Sequence, residues 1–302
     1  MSSIPKQLAT FVAVLAVLFV GGAIAGRLID ADAPHGGDAE ASGHGAEQTH
    51  EEDSNVASPS HGSEHSDAAP EVHGLAVADV GLRVVVDRPE LRRGEAATVA
   101  FRIVDSRGSA VRDFDVTHEK RMHLILARRD LTGFQHLHPD MATDGTWSMR
   151  VTLPDAGSYR LFADFSYQEE AITLATDLRV DGNADLLDLP APEPTAVSDG
   201  GYDVRLDSTG AMAGQESRLA FSITRDGEPV STEPYLGAGG HLVALREGDL
   251  AFLHVHPIEE DEQGEGVGFA ATFPTAARYR LYLQFKHEGA VQTVAFTQEV
   301  SR

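Results

Sequence analysis

The stretch Met122-His123-Leu124-Ile125-Leu126 runs through a short turn around Asp130 into Phe134-Gln135-His136-Leu137-His138-Pro139. The pattern returns as His241-Leu242-Val243-Ala244-Leu245, a turn around Asp249, and Phe252-Leu253-His254-Val255-His256-Pro257. The turn differs by one residue between the copies, yet the lone His precedes the His-x-His pair by the same spacing in both. Short apolar runs with β-branched residues, separated by a turn and ended by proline, read as β-hairpins. The fold reading grows from these two hairpins.

Around them the chain repeats itself with a period near 120 residues. Gly81 answers to Gly201, Gly94 to Gly214 and Phe101 to Phe221. The match is closest at Tyr159-Arg160-Leu161-Phe162-Ala163-Asp164-Phe165 against Tyr279-Arg280-Leu281-Tyr282-Leu283-Gln284-Phe285. Each repeat shows about eight short strand-like segments, among them 96–104, 111–116, 122–127 and 158–165 in the first, with Asp-Gly and Glu-Gly turn signals between them. No long helical period appears after the N-terminus. Leu153-Pro154-Asp155-Ala156-Gly157-Ser158-Tyr159 has the form of a sandwich corner closed by a tyrosine hydroxyl. The second copy, Phe273 to Tyr279, lacks the glycine, so its corner is expected to be built differently. The predicted fold is all-β: two tandem immunoglobulin-like antiparallel β-sandwiches at 76–184 and 200–302, joined by a Pro-rich connector at 185–199.

The N-terminal part is of another kind. Lys6 precedes the uncharged run LATFVAVLAVLFVGGAIAG, which suits a signal peptide with cleavage after Ala23-Ile24-Ala25 or a membrane-spanning helix. The long polar stretch that follows favours a retained anchor at 1–27, and either reading places the rest outside the cytoplasm. Residues 28–75 are poor in aromatics and rich in small and acidic residues, which predicts a disordered linker with a reach of roughly 40 Å. His35, His44, His50, His61, His65 and His73 are scattered through it, either as loose metal ligands or as incidental members of a solvated spacer.

Composition narrows function. A formal net charge of -23 argues against nucleic acid as a partner, because that binding rests on neutralising phosphates. With no cysteine there is no disulfide frame and no thiolate metal site. A metal must be held by imidazole, carboxylate, thioether or backbone oxygen.

The two His triplets meet that condition. Residues two apart on a strand share a face about 6.5–7 Å apart, so His136 and His138 project together, as do His254 and His256. His123 and His241 join them only if the hairpin register places them on that face, because a one-residue slip reverses it. The candidate metal ligands are therefore His123, His136, His138, His241, His254 and His256, one three-His site per repeat. Imidazole without thiolate suits copper or zinc, and affinity is expected to fall as pH drops through about 6.5. Met122 and Met141 tilt the choice towards copper. Asp164 is a candidate to orient the first site, while His118 and His287, with no counterpart in the other repeat, read as surface residues. No protein partner is legible.

The whole chain after residue 80 resembles a group of uncharacterised exported bacterial proteins with an N-terminal hydrophobic segment, a His-rich spacer and repeated domains. The shared marks stand here as His123, Asp130-Leu131, His136-Leu137-His138-Pro139 and Tyr159-Arg160-Leu161, then His241, Asp249-Leu250, His254-Val255-His256-Pro257 and Tyr279-Arg280-Leu281. There is a weaker likeness to small exported copper-binding β-sandwich proteins. The ligand pattern alone is similar to that of carbonic anhydrase. Three functions follow as expectations: a membrane-tethered copper or zinc protein, a cell-surface interaction module with structural histidines, and a zinc hydrolase or lyase.

Overall fold

The computed structural model describes residues 72–208, 210–253, 255–258 and 266–302. The hydrophobic run at 1–27, the linker up to residue 71 with its first five histidines, and His254 lie outside the described residues. Among the described residues no helix is long and apolar enough to cross a membrane.

The first domain contains β1 (Ala78–Asp79), β2 (Leu82–Val86), β3 (Glu90–Leu91), β4 (Ala96–Val104), β5 (His123–Arg128), β6 (Gln135–Leu137), β7 (Asp140–Met141), β8 (Trp147–Thr152), β9 (Gly157–Tyr167) and β10 (Glu170–Val180). The second contains β11 (Thr195–Val197), β12 (Asp203–Asp207), β13 (Glu216–Arg225), β14 (Glu228–Pro229), β15 (His241–Arg246), β16 (Phe252–Leu253), β17 (His256–Ile258), β18 (Val267–Thr272), β19 (Arg278–His287) and β20 (Ala290–Glu299). The first domain has sheets ordered β1-β2-β4-β8-β7 and β3-β10-β9-β5-β6. The second has β11-β12-β13-β18-β17, with β14 on β13, and β16-β15-β19-β20. Both domains are β-sandwiches of immunoglobulin-like type. Pairing between strands is antiparallel except where β3 joins β10, and the isolated Met212–Ser301 bridge is also parallel.

One expected strand is absent as such. The segment 111–116 makes only isolated bridges, Val104 to Ala110 and Asp115 to Ser166, and then folds into a tight turn at Thr117–Lys120. His118 and Glu119 at its centre have φ of 49° and 64°, the left-handed region that costs a non-glycine residue about 1–2 kcal/mol. The corners reverse the expectation: the second closes in spite of its missing glycine, the Tyr279 hydroxyl donating to the Thr275 carbonyl at 3.0 Å, whereas the Tyr159 hydroxyl of the first is buried with no hydrogen-bond partner.

Each sandwich has its own core, one around Phe101, Leu124, Leu126, Trp147 and Leu161, the other around Phe221, Leu242, Ala244, Phe269 and Leu281. A third cluster lies between the domains and contains Ile125, Ala127, Leu131, Phe162, Val243, Leu245, Leu250, Phe252 and Tyr282. Its members come in repeat-equivalent pairs: Ile125 with Val243, Ala127 with Leu245, Leu131 with Leu250, Phe162 with Tyr282. The two domains thus meet through the same sheet face of each repeat, as copies do in an isologous dimer. This explains why β5 and β15 read as unbroken apolar runs. Their even positions fill the sandwich cores and their odd positions fill the seam, so β5 is buried at every residue.

Polar groups pin the seam. The Tyr282 hydroxyl donates to the Leu131 carbonyl, and its ring stacks on Phe134 at 3.9 Å. Leu131 and Leu250 both take positive φ, 63° and 61°, in the turns that follow β5 and β15. Asp130 shapes the first of these turns by accepting from the Thr132 and Leu187 amides and the buried Arg128 guanidinium. Burial alone would raise its pKa; those bonds hold it below the ordinary carboxylate value. The Asp-Leu mark of the repeats is therefore architectural.

The end of the expected linker is ordered. The Phe252 amide of β16 donates to the His73 carbonyl at 3.0 Å. Gly74 has φ 68°, and a side chain there would meet Phe162 and Phe252 at 2.8 Å. Arg160 donates to the carbonyls of Gly74 and Leu75. Residues 73–75 thus belong to the folded body, where their carbonyls accept from Phe252 and Arg160.

Candidate metal centre

The register of β5 on β6 decides where the imidazoles point. Leu124 pairs with Leu137 and Ile125 with His136. Side chains alternate along a strand, so His123 shares the seam-facing side with Ile125 and His136, and His138 falls one step on, opposite His123. Ring centroids lie 5.2 Å apart for His123 and His136, 5.0 Å for His123 and His138, and 4.8 Å for His136 and His138. One ring nitrogen from each of the three lies within 4.8 Å of the others. His123 is buried, His136 is enclosed at its ring and His138 is partly buried.

The hydrogen bonds are specific. His123 Nδ1 lies 3.0 Å from His136 Nε2. His123 Nε2 faces the Thr117 carbonyl at 3.1 Å. His136 Nδ1 faces Gln284 Oε1, from the second domain, at 2.7 Å. His138 Nε2 is buried with no hydrogen-bond partner. Two nitrogens bound to one ion at about 2.0–2.1 Å stand roughly 2.9–3.4 Å apart for bond angles between square and tetrahedral. The 3.0 Å separation falls in that window. The outer limit of 4.8 Å exceeds even the roughly 4.1 Å of opposed ligands, so a pair at that limit must close in by about 0.7 Å for opposed ligands and about 1.4 Å for a tetrahedral pair.

The surroundings keep the rings neutral. Burial lowers the His123 pKa, with the Thr117 carbonyl and Asp164 pulling the other way. His136 is held well below its ordinary value by burial and by its neighbours His241 and His123. His138 is lowered to about 4 by burial, then by His123 and Lys120. Neutral imidazole is the form that binds metal.

Asp164 pairs with His123 across the β5–β9 ladder and accepts from the Thr173 hydroxyl at 2.7 Å. Gln284 occupies the equivalent place opposite His241 and donates to Thr293 at 3.1 Å. The same three-strand row, His then Asp or Gln then Thr, is thus built in both repeats.

Among the described residues, the second triplet does not gather as the first does. His241 stacks on His136 at 4.7 Å and on His123 at 5.8 Å, so it lies against the first domain's cluster. His256 is exposed on β17, which pairs with β18 in the other sheet. β16 ends at Leu253, and the chain has changed sheets by His256, whereas His138 precedes the equivalent change at β7. His254 lies outside the described residues. Among the described residues, His123, His136 and His138 form the one group of three close enough to share an ion.

His118 is exposed, as expected of a surface residue, and its ring stands 6.0 Å from those of both His123 and His241. The strained turn at Thr117–Lys120 carries it there and also supplies the carbonyl for His123. A cavity of about 50 Å³ lies beside the cluster, lined by His118, Lys120, His123, Asp164, His241 and Phe252 among others. Gln284 also escaped the sequence reading as a contact of the first site; the unbroken apolar strands were the available sign that the two repeats face each other.

The solved structures similar to this chain are remote. The Escherichia coli adhesin FdeC is 16% identical, covering 75% of this chain and 66% of that one, with a TM-score of 0.26. Salmonella alpha-2-macroglobulin is 14% identical, covering 77% of this chain and 15% of that one, with a TM-score of 0.27. A titin immunoglobulin tandem is 13% identical, covering 72% of this chain and 95% of that one, with a TM-score of 0.19. This chain thus spans just under two thirds of the adhesin and far less of the macroglobulin. These similarities transfer no function, and none supports the likeness to copper-binding sandwiches. No curated protein matches the chain in sequence. The domain of unknown function DUF8832 matches residues 76–182 and again 195–302, and the chain belongs to that family.

Proposed function

We propose that this is an extracytoplasmic metal-binding protein in which His123, His136 and His138 hold one divalent ion, copper or zinc, at the seam between its two domains. One observation carries the reading. Three imidazole nitrogens converge while the outer nitrogens of His123 and His136 are already engaged by the Thr117 carbonyl and the Gln284 amide oxygen. Metal-bound histidines characteristically donate their second ring N–H to such acceptors, which fixes the tautomer that presents a lone pair to the ion. His138 is the third of these rings, and its Nε2 is buried without a hydrogen-bond partner. The N-terminal hydrophobic run would tether the domains to a membrane, and the spacer histidines would collect ions near the site.

The test is metal analysis and titration of the untagged full chain against its His136→Ala and His138→Ala variants. The reading expects one ion per chain, lost in the variants. Equal binding by all three proteins would refute it.

A second reading, an interaction module of the cell surface, is favoured by the seam itself, which makes a stiff tandem of the two sandwiches. The adhesins among the structural neighbours fit this reading without adding weight to it. Here the histidines are packing, and the same substitutions destabilise the protein equally with and without a chelator. A hydrolase or lyase needs room for substrate beside the triplet, and the cavity of about 50 Å³ has space for a water or two.

A further inference from the structure

The ring nitrogens of His123 and His136 pose a question of proton placement. The Thr117 carbonyl can only accept, so His123 carries its hydrogen on Nε2 and presents a lone pair at Nδ1. Gln284 Oε1 likewise can only accept, so His136 carries its hydrogen on Nδ1 and presents a lone pair at Nε2. Two lone pairs then face each other at 3.0 Å, an arrangement that repels unless a cation lies between them. Reversing the Gln284 amide removes the conflict. Its NH2 would donate to His136 Nδ1, the hydrogen would sit on Nε2, and Nε2 would donate to His123 Nδ1. Thr293, 3.1 Å from the amide nitrogen, can donate or accept through its hydroxyl and satisfies either orientation.

We propose that Gln284 is the positioning residue of this centre: with its oxygen towards His136 it selects the ion-binding tautomer, and with its NH2 towards His136 it selects a closed His–His hydrogen bond. Because Gln284 belongs to the second repeat and His136 to the first, the centre is complete only when the two domains are docked. By linkage, an ion that prefers the docked state strengthens the docking by the same factor. The exchange of Asp164 for Gln284 between the repeats fits this role. Glutamine is one methylene longer, and it reaches across the seam while Asp164 stays with Thr173 in its own sheet. His241, buttressing His136 from the same domain at 4.7 Å, limits rotation of that ring.

The inference rests on the metal reading, and the experiment separates the two. Zinc is titrated by competition against the full chain and its Gln284→Glu and Gln284→Leu variants, and the His136 tautomer is read by nitrogen-15 NMR with and without zinc. Gln284→Leu is expected to lose about 10–100-fold in affinity, the usual cost of removing such an outer partner. Gln284→Glu, which still accepts from Nδ1, is expected to stay within a few-fold of the parent. The hydrogen on His136 should move from Nε2 to Nδ1 when zinc binds. Parent-like affinity in Gln284→Leu, or a loaded protein with Nε2–H on His136, overturns the inference and leaves the metal reading standing. A parent protein that binds no zinc overturns both. Should Gln284→Leu fail to fold, the tautomer of the parent decides alone.

Discussion

His241 of the second repeat lies face to face with His123 of the first, their ring planes within 8° and their centroids 5.8 Å apart. The two are equivalent positions, each the first residue of its seam strand. Their meeting follows the same logic as the apolar part of the contact, where Phe162 meets Phe252 and the repeat-equivalent Tyr282 meets Phe134. The histidines are the polar end of a seam that is otherwise hydrophobic.

If the seam couples the domains, a cavity in one should be felt in the other. Leu245→Ala, in the second repeat, removes a fully buried side chain and is expected to cost about 2–5 kcal/mol. The protein's single tryptophan, Trp147, sits in the core of the first domain, so its fluorescence reports that domain. In urea, the Trp147 transition should shift to lower denaturant in Leu245→Ala; an unchanged midpoint would mean the domains unfold independently.

Tyr282→Phe keeps the stack on Phe134 but leaves the buried Leu131 carbonyl without its donor. An unmet buried acceptor costs about 1–3 kcal/mol. Thermal unfolding of the variant should show that loss without change in sheet content by circular dichroism.

Acid should weaken the ion-free protein. The three cluster histidines have pKa values below 6.5 when folded, His138 reaching about 4. Unfolded, each takes up a proton near pH 6.5. The unfolded chain therefore binds more protons below that pH, and stability falls as pH drops from about 6.5 towards about 4. His138→Gln should flatten this slope in denaturation measured across the range. For the same reason, ion binding should persist below pH 6.5, where a solvated imidazole would already be protonated.

The turn holding His118 stores strain in two left-handed residues. Glu119→Gly removes the steric part of that cost at one of them, and a gain of about 1 kcal/mol is expected from chemical denaturation. A loss instead would show that the Glu119 side chain contributes more than its backbone costs.

Much of the architecture was legible before any coordinates. The repeat and the period-two strands are local properties, written into residues near one another. That His136 and His138 share a face follows from parity alone, and the hairpin spacing allowed His123 to join them. The expected strand at 111–116 misled because its Asp-rich sequence turns instead to make the bend at Thr117–Lys120.

What the chain order could not supply is which surfaces meet. A strand such as His241–Arg246 announces by its unbroken apolar character that both sides are covered, but not by what. The packing of two sheets is set by the sum of many non-local contacts, none stronger than a few kcal/mol, and it is this docking that carries His241 to the first repeat's cluster, leaves His256 on the other sheet, and brings Gln284 to His136. The sequence by itself determined two sandwiches and the six histidines worth watching; only the tertiary structure decided that His123, His136 and His138 converge, and that the second repeat supplies walls around them.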